Sequence, residues 1–373
     1  MPKPAPHPAK LILKRPWLLP VWLLSPLTGA KSFRDNPVLA SHIANRLGLH
    51  VARVMLAHLV ARLRWALLTP LMDRQARRRF HRDGFVVFED ALDPETIAAL
   101  RADLEIADGT GLDVRAMQQG NTLTERLLLD RLALARLPAI DRALKAARMG
   151  RRVAYAAGKA RAPLLYVQRI RNGAVAGGSD PQKTLHSDTF HPSVKAWLFL
   201  QDVAPEDGPF TYVPGSHRLS WRRLAFEYRK SLTARTAPDG YSEKGSLRLR
   251  EADRKAMGLA DPMGLSVKAG TLVVANTHGF HGRGAAQEGR GRLELWAYAR
   301  PTPFNPLPVP LLPLAARLDT WGLRAYRAWQ DRRAARRGAQ PSWRTIPLGR
   351  LTEPPTEPST GQPDRPDRPA ITP

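Results

Sequence analysis

Short runs of β-forming residues, separated by glycine and proline, fill the sequence after residue 163 and constrain its fold more than any other feature. The predicted strands cover residues 164–170, 194–203, 208–213, 265–268, 271–277 and 291–299. Strand-sized segments with such turns between them are typical of antiparallel sheets. The segments before residue 163 are mostly helical in pattern. We therefore expect an α+β protein with an antiparallel β-sandwich or barrel core backed by helices.

The N-terminal region, residues 1–74, differs from the rest in charge and in apolar pattern. Residues 1–72 hold ten lysines and arginines against one acid, Asp35. Over residues 38–69 apolar side chains recur at helical spacing, with arginines between them: Ile43, Leu47, Val51, Val54, Met55 and Leu59, with Arg46, Arg53, Arg62 and Arg64. This pattern predicts either a basic amphipathic helix on an anionic membrane or a helix packed on the protein's own core with solvated arginines.

Other segments outside the predicted strands have simpler interpretations. Residues 122–160 have a helical pattern with a break at Pro138, and Asp93-Pro94 has the pattern of a helix start. Residues 302–338 include an amphipathic helix over 314–337, whose apolar stripe is Leu314, Leu318, Trp321, Ala325 and Trp329. The Pro-rich tail, residues 339–373, is expected to be disordered. These boundaries leave residues 75–301 as the main domain.

Composition removes several classes of site. The chain has no cysteine, which excludes disulfides, thiolate metal sites and a cysteine nucleophile. Its formal net charge of +25 allows nucleic acid, an anionic membrane or an acidic substrate as a partner. Because the aromatic residues are not interleaved with the basic ones as a base-stacking platform requires, we expect no nucleic-acid binding.

The run Thr184-Leu185-His186-Ser187-Asp188 is the strongest candidate for a chemical site. Residues two apart on a strand point to the same side, so His186 and Asp188 could hold one ion together. Two histidines and one carboxylate form a facial ligand set for non-haem Fe(II), with open positions opposite. The motif alone is weak, since a histidine near an aspartate is more often a hydrogen-bonded pair. A third ligand would have to come from a distant strand.

The motifs around this run are similar to those of the phytanoyl-CoA dioxygenase (PhyH) family. The resemblance begins at Phe80 with Phe-x-x-x-Gly-Phe-Val-Val, and continues through His186-Ser187-Asp188 and the run Gly208-Pro209 to Pro214-Gly215-Ser216-His217. It ends in Gly270–Val274, the His278–His281 region and Arg290–Tyr298. The resemblance implies a double-stranded β-helix (jelly-roll or cupin-like) core flanked by helices, with Fe(II), the co-substrate 2-oxoglutarate and O2. It covers residues 75–300.

The resemblance also implies roles for individual residues. His186 and Asp188 match the first two metal ligands, and His281 matches the third, with His278 as the alternative. Arg292 matches the arginine that binds the distal carboxylate of 2-oxoglutarate, with Arg290 as the alternative. Trp197 matches a position that lines the co-substrate. Its alternative interpretation is plain core packing.

We thus expect an Fe(II)- and 2-oxoglutarate-dependent dioxygenase that acts on a small-molecule substrate. A carboxylate at Asp188 fills the position that related halogenases leave open for chloride, which predicts hydroxylation. The basic N-terminal region and the C-terminal tryptophans suggest a lipid-like or acyl substrate, and a cytoplasmic enzyme peripheral to the inner face of the membrane. The alternative is a catalytically inactive β-barrel binding protein of the same fold.

Overall fold

The computed structural model describes residues 8–106, 112–309 and 315–346. The predicted disorder of residues 347–373 falls outside these ranges. The helices are α1 Pro8–Lys14, α2 Leu19–Leu24, α3 His42–Arg46, α4 Leu49–Leu67, α5 Arg74–Asp83, α6 Pro94–Ile106, α7 Arg131–Arg136, α8 Pro138–Ala146, α9 Met149–Ala157, α10 Trp221–Thr233, α11 Glu251–Met257 and α12 Ala315–Ala335. The strands are β1 Phe85–Phe88, β2 Val114–Gln119, β3 Thr122–Leu128, β4 Leu164–Arg171, β5 Val194–Phe199, β6 Phe210–Tyr212, β7 Met263–Leu265, β8 Leu272–Asn276, β9 His281–Arg283, β10 Gly291–Ala299 and β11 Arg344–Ile346.

The strands form two antiparallel sheets that face each other. The large sheet has the order β1-β8-β5-β10-β4-β3-β2-β11, and the small sheet has the order β7-β6-β9. Aromatic side chains from both sheets meet between them, including Trp197 of β5 and Phe210 of β6, whose ring centroids lie 4.1 Å apart. The antiparallel core with flanking helices confirms the predicted α+β class.

The central strands of the large sheet separate two layers of the core. Along β10, Leu295, Ala297 and Ala299 pack with residues of α6, α8 and α9 in one apolar cluster. The alternate residues Arg292, Trp296 and Tyr298 line a cavity on the other face, beside the small sheet. Successive side chains of a strand point to opposite faces, so one strand serves both the helical layer and the cavity.

The prediction of helix over residues 122–160 is wrong at its start. Residues Thr122–Leu128 form β3, in which Leu127 pairs with Val114 of β2 and with Val167 of β4. The helices α7, α8 and α9 follow, and Pro138 is the first residue of α8. Pairing with a strand about 40 residues downstream decides β3, and local sequence preference is known to yield to such tertiary contacts.

The C-terminal predictions are confirmed in part. α12 spans most of the predicted helix, but its Trp321 and Trp329 side chains are 68% and 50% exposed, so the predicted stripe does not pack on the core. Leu314 and the side chain of Leu318 lie outside the described part of the chain. The predicted disorder is wrong at residues 344–346, which pair with β2 as strand β11.

The N-terminal region is helical and packs on the main domain in an unexpected orientation. The predicted apolar stripe largely faces solvent: Ile43, Leu47 and Leu59 are 74%, 83% and 64% exposed. The face of α4 that packs inward instead carries Arg53 and Arg64, which are 6% and 1% exposed. The second interpretation is therefore wrong for Arg53 and Arg64, which are not solvated, whereas Arg46 and Arg62 are exposed. None of the described helices combines the length and the apolar character needed to cross a membrane.

The contacts of the Arg53 side chain explain why this arginine is buried. Its guanidinium donates to the carbonyl oxygens of Pro26 at 2.8 Å, Thr28 at 3.0 Å and Ala30 at 2.7 Å, and it lies 4.1 Å from the ring centroid of Phe190. Burial lowers the pKa of Arg53 to about 10, so the side chain stays charged at neutral pH. One side chain thus fixes the loop over residues 26–30 to α4 and to the core.

We expect Arg53→Met to lower the free energy of unfolding by roughly 2–4 kcal/mol, because three carbonyl oxygens lose a charged donor. Urea unfolding followed by circular dichroism measures this. Arg46→Met is the matched control, since Arg46 is an exposed arginine of the neighbouring helix α3, and its substitution should change stability by less than about 0.5 kcal/mol. Equal effects of the two substitutions would contradict the structural role of Arg53.

Candidate metal centre

His186 and His281 are brought together by their backbones. The amide of His186 donates to the carbonyl of His281 at 2.9 Å, and the amide of His281 donates back to the carbonyl of His186 at 3.0 Å. His281 is the first residue of β9, but His186 forms only isolated bridges, to His281 and Arg248. The expectation that His186 and Asp188 lie on a regular strand is therefore wrong, although the backbone around them is held by the same kind of hydrogen bond.

The two imidazoles are oriented alike. Nδ1 of His186 donates to the carbonyl of Thr184 at 2.8 Å, and Nδ1 of His281 donates to the carbonyl of Gly279 at 2.9 Å. Since a carbonyl only accepts, each Nδ1 carries the proton and each Nε2 presents a lone pair. Nε2 of His281 is buried and has no hydrogen-bond partner within the described structure. This is the tautomer that a metal-binding histidine needs.

Asp188 supplies a carboxylate to the same point. Its Oδ1 lies 3.7 Å from Nε2 of His186 and 3.6 Å from Nε2 of His281, and the three ligand atoms all lie within 4.8 Å of one another. Burial alone would raise the pKa of Asp188, but Lys195, whose Nζ lies 2.8 Å from Oδ2, and the two imidazoles hold it well below its usual range. Burial and the neighbouring His281 likewise hold the pKa of His186 well below its usual range. Asp188 and His186 are thus in metal-binding protonation states near neutral pH.

The alternative ligand His278 points elsewhere. Its side chain is fully buried, its Nδ1 bonds to the carbonyl of Thr189 at 2.9 Å, and its ring packs against His58 at 4.5 Å between centroids. It does not line the cavity that holds His186, Asp188 and His281. The structure brings His281, and not His278, to the other two residues.

The cavity around the three groups has a volume of about 450 Å³ and also contains the predicted co-substrate residues. Arg292 and Trp197 line it, and both are buried, at 4% exposure each. Nε of Arg292 lies 2.9 Å from Oε2 of Glu294, and its Nη1 donates to the carbonyl of Gly208. Arg290, in contrast, has a side chain that is 48% exposed and pairs with Asp207 at 2.9 Å, outside the cavity.

Sequence analysis missed several basic side chains that line this cavity. They are Lys31, Arg126, Lys195, Arg248, Arg283 and Arg300. Lys195 could have been found, because it lies two residues before Trp197 on β5 and therefore faces the same way. Lys31 had no local signal: it comes from the N-terminal region and reaches the carbonyl of Asp188, where its Nζ donates at 2.5 Å.

A buried ion-pair network supports the loop that precedes His281. Arg223 of α10 donates to Oε1 of Glu227 at 2.8 Å and to the carbonyls of Ser216 and His278 at 2.8 and 3.2 Å. His50 of α4 completes the network, with Nε2 lying 2.9 Å from Oε2 of Glu227. Arg223 and Glu227 are 1% and 0% exposed. The network ties α4 and α10 to the segment that delivers His281.

Two histidines and one carboxylate converge in a cavity of an antiparallel β core. This arrangement is typical of enzymes that bind a single metal ion. The model of the phytanoyl-CoA dioxygenase (PhyH) family matches residues 80–292, more than half of the chain. The chain belongs to this family, and with it to the iron- and 2-oxoglutarate-dependent oxygenases. This confirms the family resemblance. No curated protein matches the sequence.

Several solved structures have a similar core. The non-haem α-ketoglutarate-dependent epimerase SnoN from nogalamycin biosynthesis is 22% identical, with a TM-score of 0.42, over 62% of this chain and 86% of that one. HygX from Streptomyces hygroscopicus, solved with nickel and 2-oxoglutarate, is 20% identical, with a TM-score of 0.37, over 61% and 87%. AviO1 from Streptomyces viridochromogenes Tue57 is 20% identical, with a TM-score of 0.37, over 62% and 96%. Likeness at this level decides neither substrate nor reaction.

We expect Glu227→Gln to reduce the loss of unfolding free energy that the protein undergoes when the pH is lowered. Burial alone would raise the pKa of Glu227, but Arg223 and His50 outweigh it and lower the pKa from 4.5 to about 2. A lowered folded-state pKa contributes stability that is present above pH 4.5 and lost as the pH falls towards 2. The urea midpoint of the wild type should therefore exceed that of Glu227→Gln at about pH 7, and this difference should shrink when the pH is lowered to about 4 and then to about 3.

The control for this prediction is Glu89→Gln, which changes an exposed acid directly after β1. Its pH profile should run parallel to that of the wild type, because an exposed carboxylate contributes little to stability. Parallel profiles for Glu227→Gln and wild type would show that the network carries no acid-dependent stability.

Proposed function

We propose that this protein is an Fe(II)- and 2-oxoglutarate-dependent hydroxylase whose metal ligands are His186, Asp188 and His281. The observation that supports this most strongly is the arrangement of the three side chains. Both Nδ1 atoms are occupied by backbone carbonyls, both Nε2 atoms face Asp188 at less than 4 Å, and the carboxylate is ionised. A donor set of this composition fits Fe(II) and leaves positions free for co-substrate and oxygen.

When bound, the iron would supply the oxygen activation, and the protein's own residues would supply position and exclusion of water. Lys195 holds the Asp188 carboxylate in place through an ion pair at 2.8 Å. The backbone carbonyls of Thr184 and Gly279 prevent either imidazole from rotating away. With Asp188 as a third protein ligand, no position is left open for a halide as in the related halogenases, which is why we assign hydroxylation.

Arg292 is our choice for the residue that binds the distal carboxylate of 2-oxoglutarate. It is buried within the metal cavity, where a guanidinium fork can meet a carboxylate through two hydrogen bonds in a medium of low dielectric constant. Its pairing with Glu294 and Gly208 fixes the orientation of the fork. Trp197, stacked on Phe210, would form an apolar wall beside the co-substrate.

Anaerobic addition of Fe(II) and then 2-oxoglutarate to the full-length protein should produce a weak visible absorption band. We expect Asp188→Ala and His281→Ala to abolish the band, and Arg292→Gln to weaken 2-oxoglutarate binding by roughly tenfold or more, because a buried charged hydrogen-bond pair is lost. Succinate release in the presence of O2 provides the second readout.

The matched controls are Arg290→Gln and His278→Asn. Arg290 is outside the cavity, and the amide nitrogen of an asparagine could replace the hydrogen bond from His278 to Thr189. Both variants should bind iron and 2-oxoglutarate as the wild type does. A wild-type protein that binds Fe(II) but shows no 2-oxoglutarate band and releases no succinate would favour the alternative, an inactive binding protein of the same fold.

A specific observation also favours binding to an anionic membrane surface, with a lipid-like or acyl substrate. Most of the exposed large apolar side chains of the described chain lie in residues 12–67: Ile12, Leu13, Trp17, Leu19, Val21, Leu23, Leu24, Leu27, Ile43, Leu47, Met55, Leu56, Leu59, Leu63 and Leu67. Exposed apolar groups at this density mark an interaction surface.

The charges between these side chains point to anionic lipid as the occupant. Lys14, Arg15, Arg46 and Arg62 are exposed in the same region, and Asp35 is its single acid. Apolar groups that can enter the headgroup layer, combined with cations that attract anionic lipid, are the features of a helix that lies in a membrane interface. A second protein would need acidic residues to match this charge.

Co-sedimentation with vesicles tests the membrane proposal. The full-length protein should bind phosphatidylserine-containing vesicles more tightly than phosphatidylcholine vesicles, and less tightly at high salt. The double substitution Trp17→Glu and Leu47→Glu should weaken binding by roughly tenfold or more, since two exposed apolar side chains no longer enter the lipid. Met263→Glu, which alters an exposed apolar residue of β7, is the control. Equal binding to both lipids would refute the proposal.

A further inference from the structure

The metal cavity is far more basic than its proposed metal and co-substrate require. Among the residues that line it, seven are cationic and one, Asp188, is a carboxylate. The cations are Lys31, Arg126, Lys195, Arg248, Arg283, Arg292 and Arg300. Lys195 already pairs with Asp188 at 2.8 Å, so the remaining charge has to be balanced from elsewhere.

Part of this charge is balanced by acids behind the cavity wall. Arg292 lies 2.9 Å from Glu294, and Arg283 lies 2.5 Å from Asp180. Arg126, on β3, has no ion-pair partner among the described residues, but it donates to Gln168, which in turn donates to Glu294, and its guanidinium lies 4.0 Å from the ring centroid of Trp296. This group lies on the side of the cavity that we assign to 2-oxoglutarate.

The remaining three cations, Lys31, Arg248 and Arg300, have no carboxylate within 4.0 Å in the described part of the chain, and we call them the substrate-side cations. Nη1 of Arg248 donates to the carbonyl of Thr184 at 3.2 Å, and its guanidinium lies 4.3 Å from the ring centroid of Tyr241. Nη2 of Arg300 donates to the carbonyl of Gly29 at 2.7 Å. Lys31 donates to the carbonyl of Asp188. Each donates to neutral groups, and the carboxylates that act on Lys31 and Arg248, Asp188 among them, do so from beyond ion-pair distance.

Arg248 is buried at 7% exposure and Lys31 and Arg300 are half-buried, and cations placed in this way without an ion-pair partner are costly to the folded protein. Bound metal would engage the charge of Asp188 as well, and 2-oxoglutarate would place its distal carboxylate at Arg292. We propose that the substrate-side cations bind a phosphate group of the substrate and so orient its oxidisable part towards the metal. This assignment rests on the proposed function. Two guanidiniums and one ammonium match the several oxygens and the double charge of a phosphate monoester.

The site depends on the N-terminal region, which lies outside residues 80–292. Lys31 follows directly on the loop that Arg53 fixes through the carbonyls of Pro26, Thr28 and Ala30. Arg300 holds the same loop through Gly29. Two of the three substrate-side cations, Lys31 and Arg300, therefore lie outside the residues that the family model matches.

Binding of phosphate compounds to the metal-free, full-length protein tests the proposal by calorimetry. The probes are sn-glycerol 3-phosphate and dihexanoylphosphatidic acid, which separate a water-soluble phosphate ester from a lipid headgroup. We expect Lys31→Met, Arg248→Met and Arg300→Met each to weaken binding by roughly tenfold, as for the loss of one charged hydrogen bond. Lys31→Arg should retain most of the affinity, and the exposed control Arg290→Gln should retain all of it.

Binding of either probe with this pattern supports the phosphate site, and the probe that binds identifies the source of the phosphate. Lack of binding by both probes would overturn the proposal, as would equal weakening by Arg290→Gln. Weakening by Arg292→Gln alone, with competition from 2-oxoglutarate, would also overturn it and leave the oxygenase assignment intact. Conversely, the expected pattern without any 2-oxoglutarate band would remove the oxygenase assignment and leave the anion site. Circular dichroism of each variant confirms that the comparison is between folded proteins.

Discussion

Two reciprocal backbone hydrogen bonds between His186 and His281 are the constraint on which the candidate site depends. They join segments that are far apart in sequence, and one of these segments is strand β9 of the small sheet. Once they form, the two imidazoles lie 4.6 Å apart between centroids, and Asp188 follows His186 by two residues into the same cavity. Side-chain geometry at the candidate metal centre is thus a consequence of backbone hydrogen bonds between distant segments.

Buried ion pairs and charged hydrogen bonds then hold the surroundings of the site. Arg223 and Glu227 link α10 to the carbonyls of Ser216 and His278, so the loop before His281 is fixed on both sides. Arg53 acts in the same way for the loop over residues 26–30. Removing either partner of such a pair leaves an unbalanced charge in the interior, which is far more destabilising than losing a surface ion pair.

The N-terminal region therefore belongs to the cavity as much as to the protein surface. Its inward face carries His50, which bonds to Glu227 of the main domain, and Arg53, which lies over the ring of Phe190. Arg64 on the same face donates to the carbonyl of Thr302, and the loop of this region delivers Lys31. Its outward face carries the apolar residues and the remaining basic side chains. If the outward face lies on lipid, the same segment that contacts the membrane also forms one wall of the cavity. A phosphate-bearing substrate taken from that surface would then meet the substrate-side cations directly.

The sequence by itself determined the fold class, the family and those site residues that a local motif or strand alternation identifies. Alternation along the strand 291–299 places Arg292 on the face opposite to Leu293 and Leu295, and the His-x-Asp motif with its family context names His186 and Asp188. Only the tertiary structure showed that His281 and Arg292 line the cavity and that His278 and Arg290 do not. The two members of each pair are close together in sequence, and what separates them is their contacts with distant parts of the chain. The same reason explains the errors at β3 and at α4. A strand is decided by the partners that accept its hydrogen bonds, and the buried face of α4 is decided by carbonyl oxygens at residues 26–30 and 302–305 that need a donor.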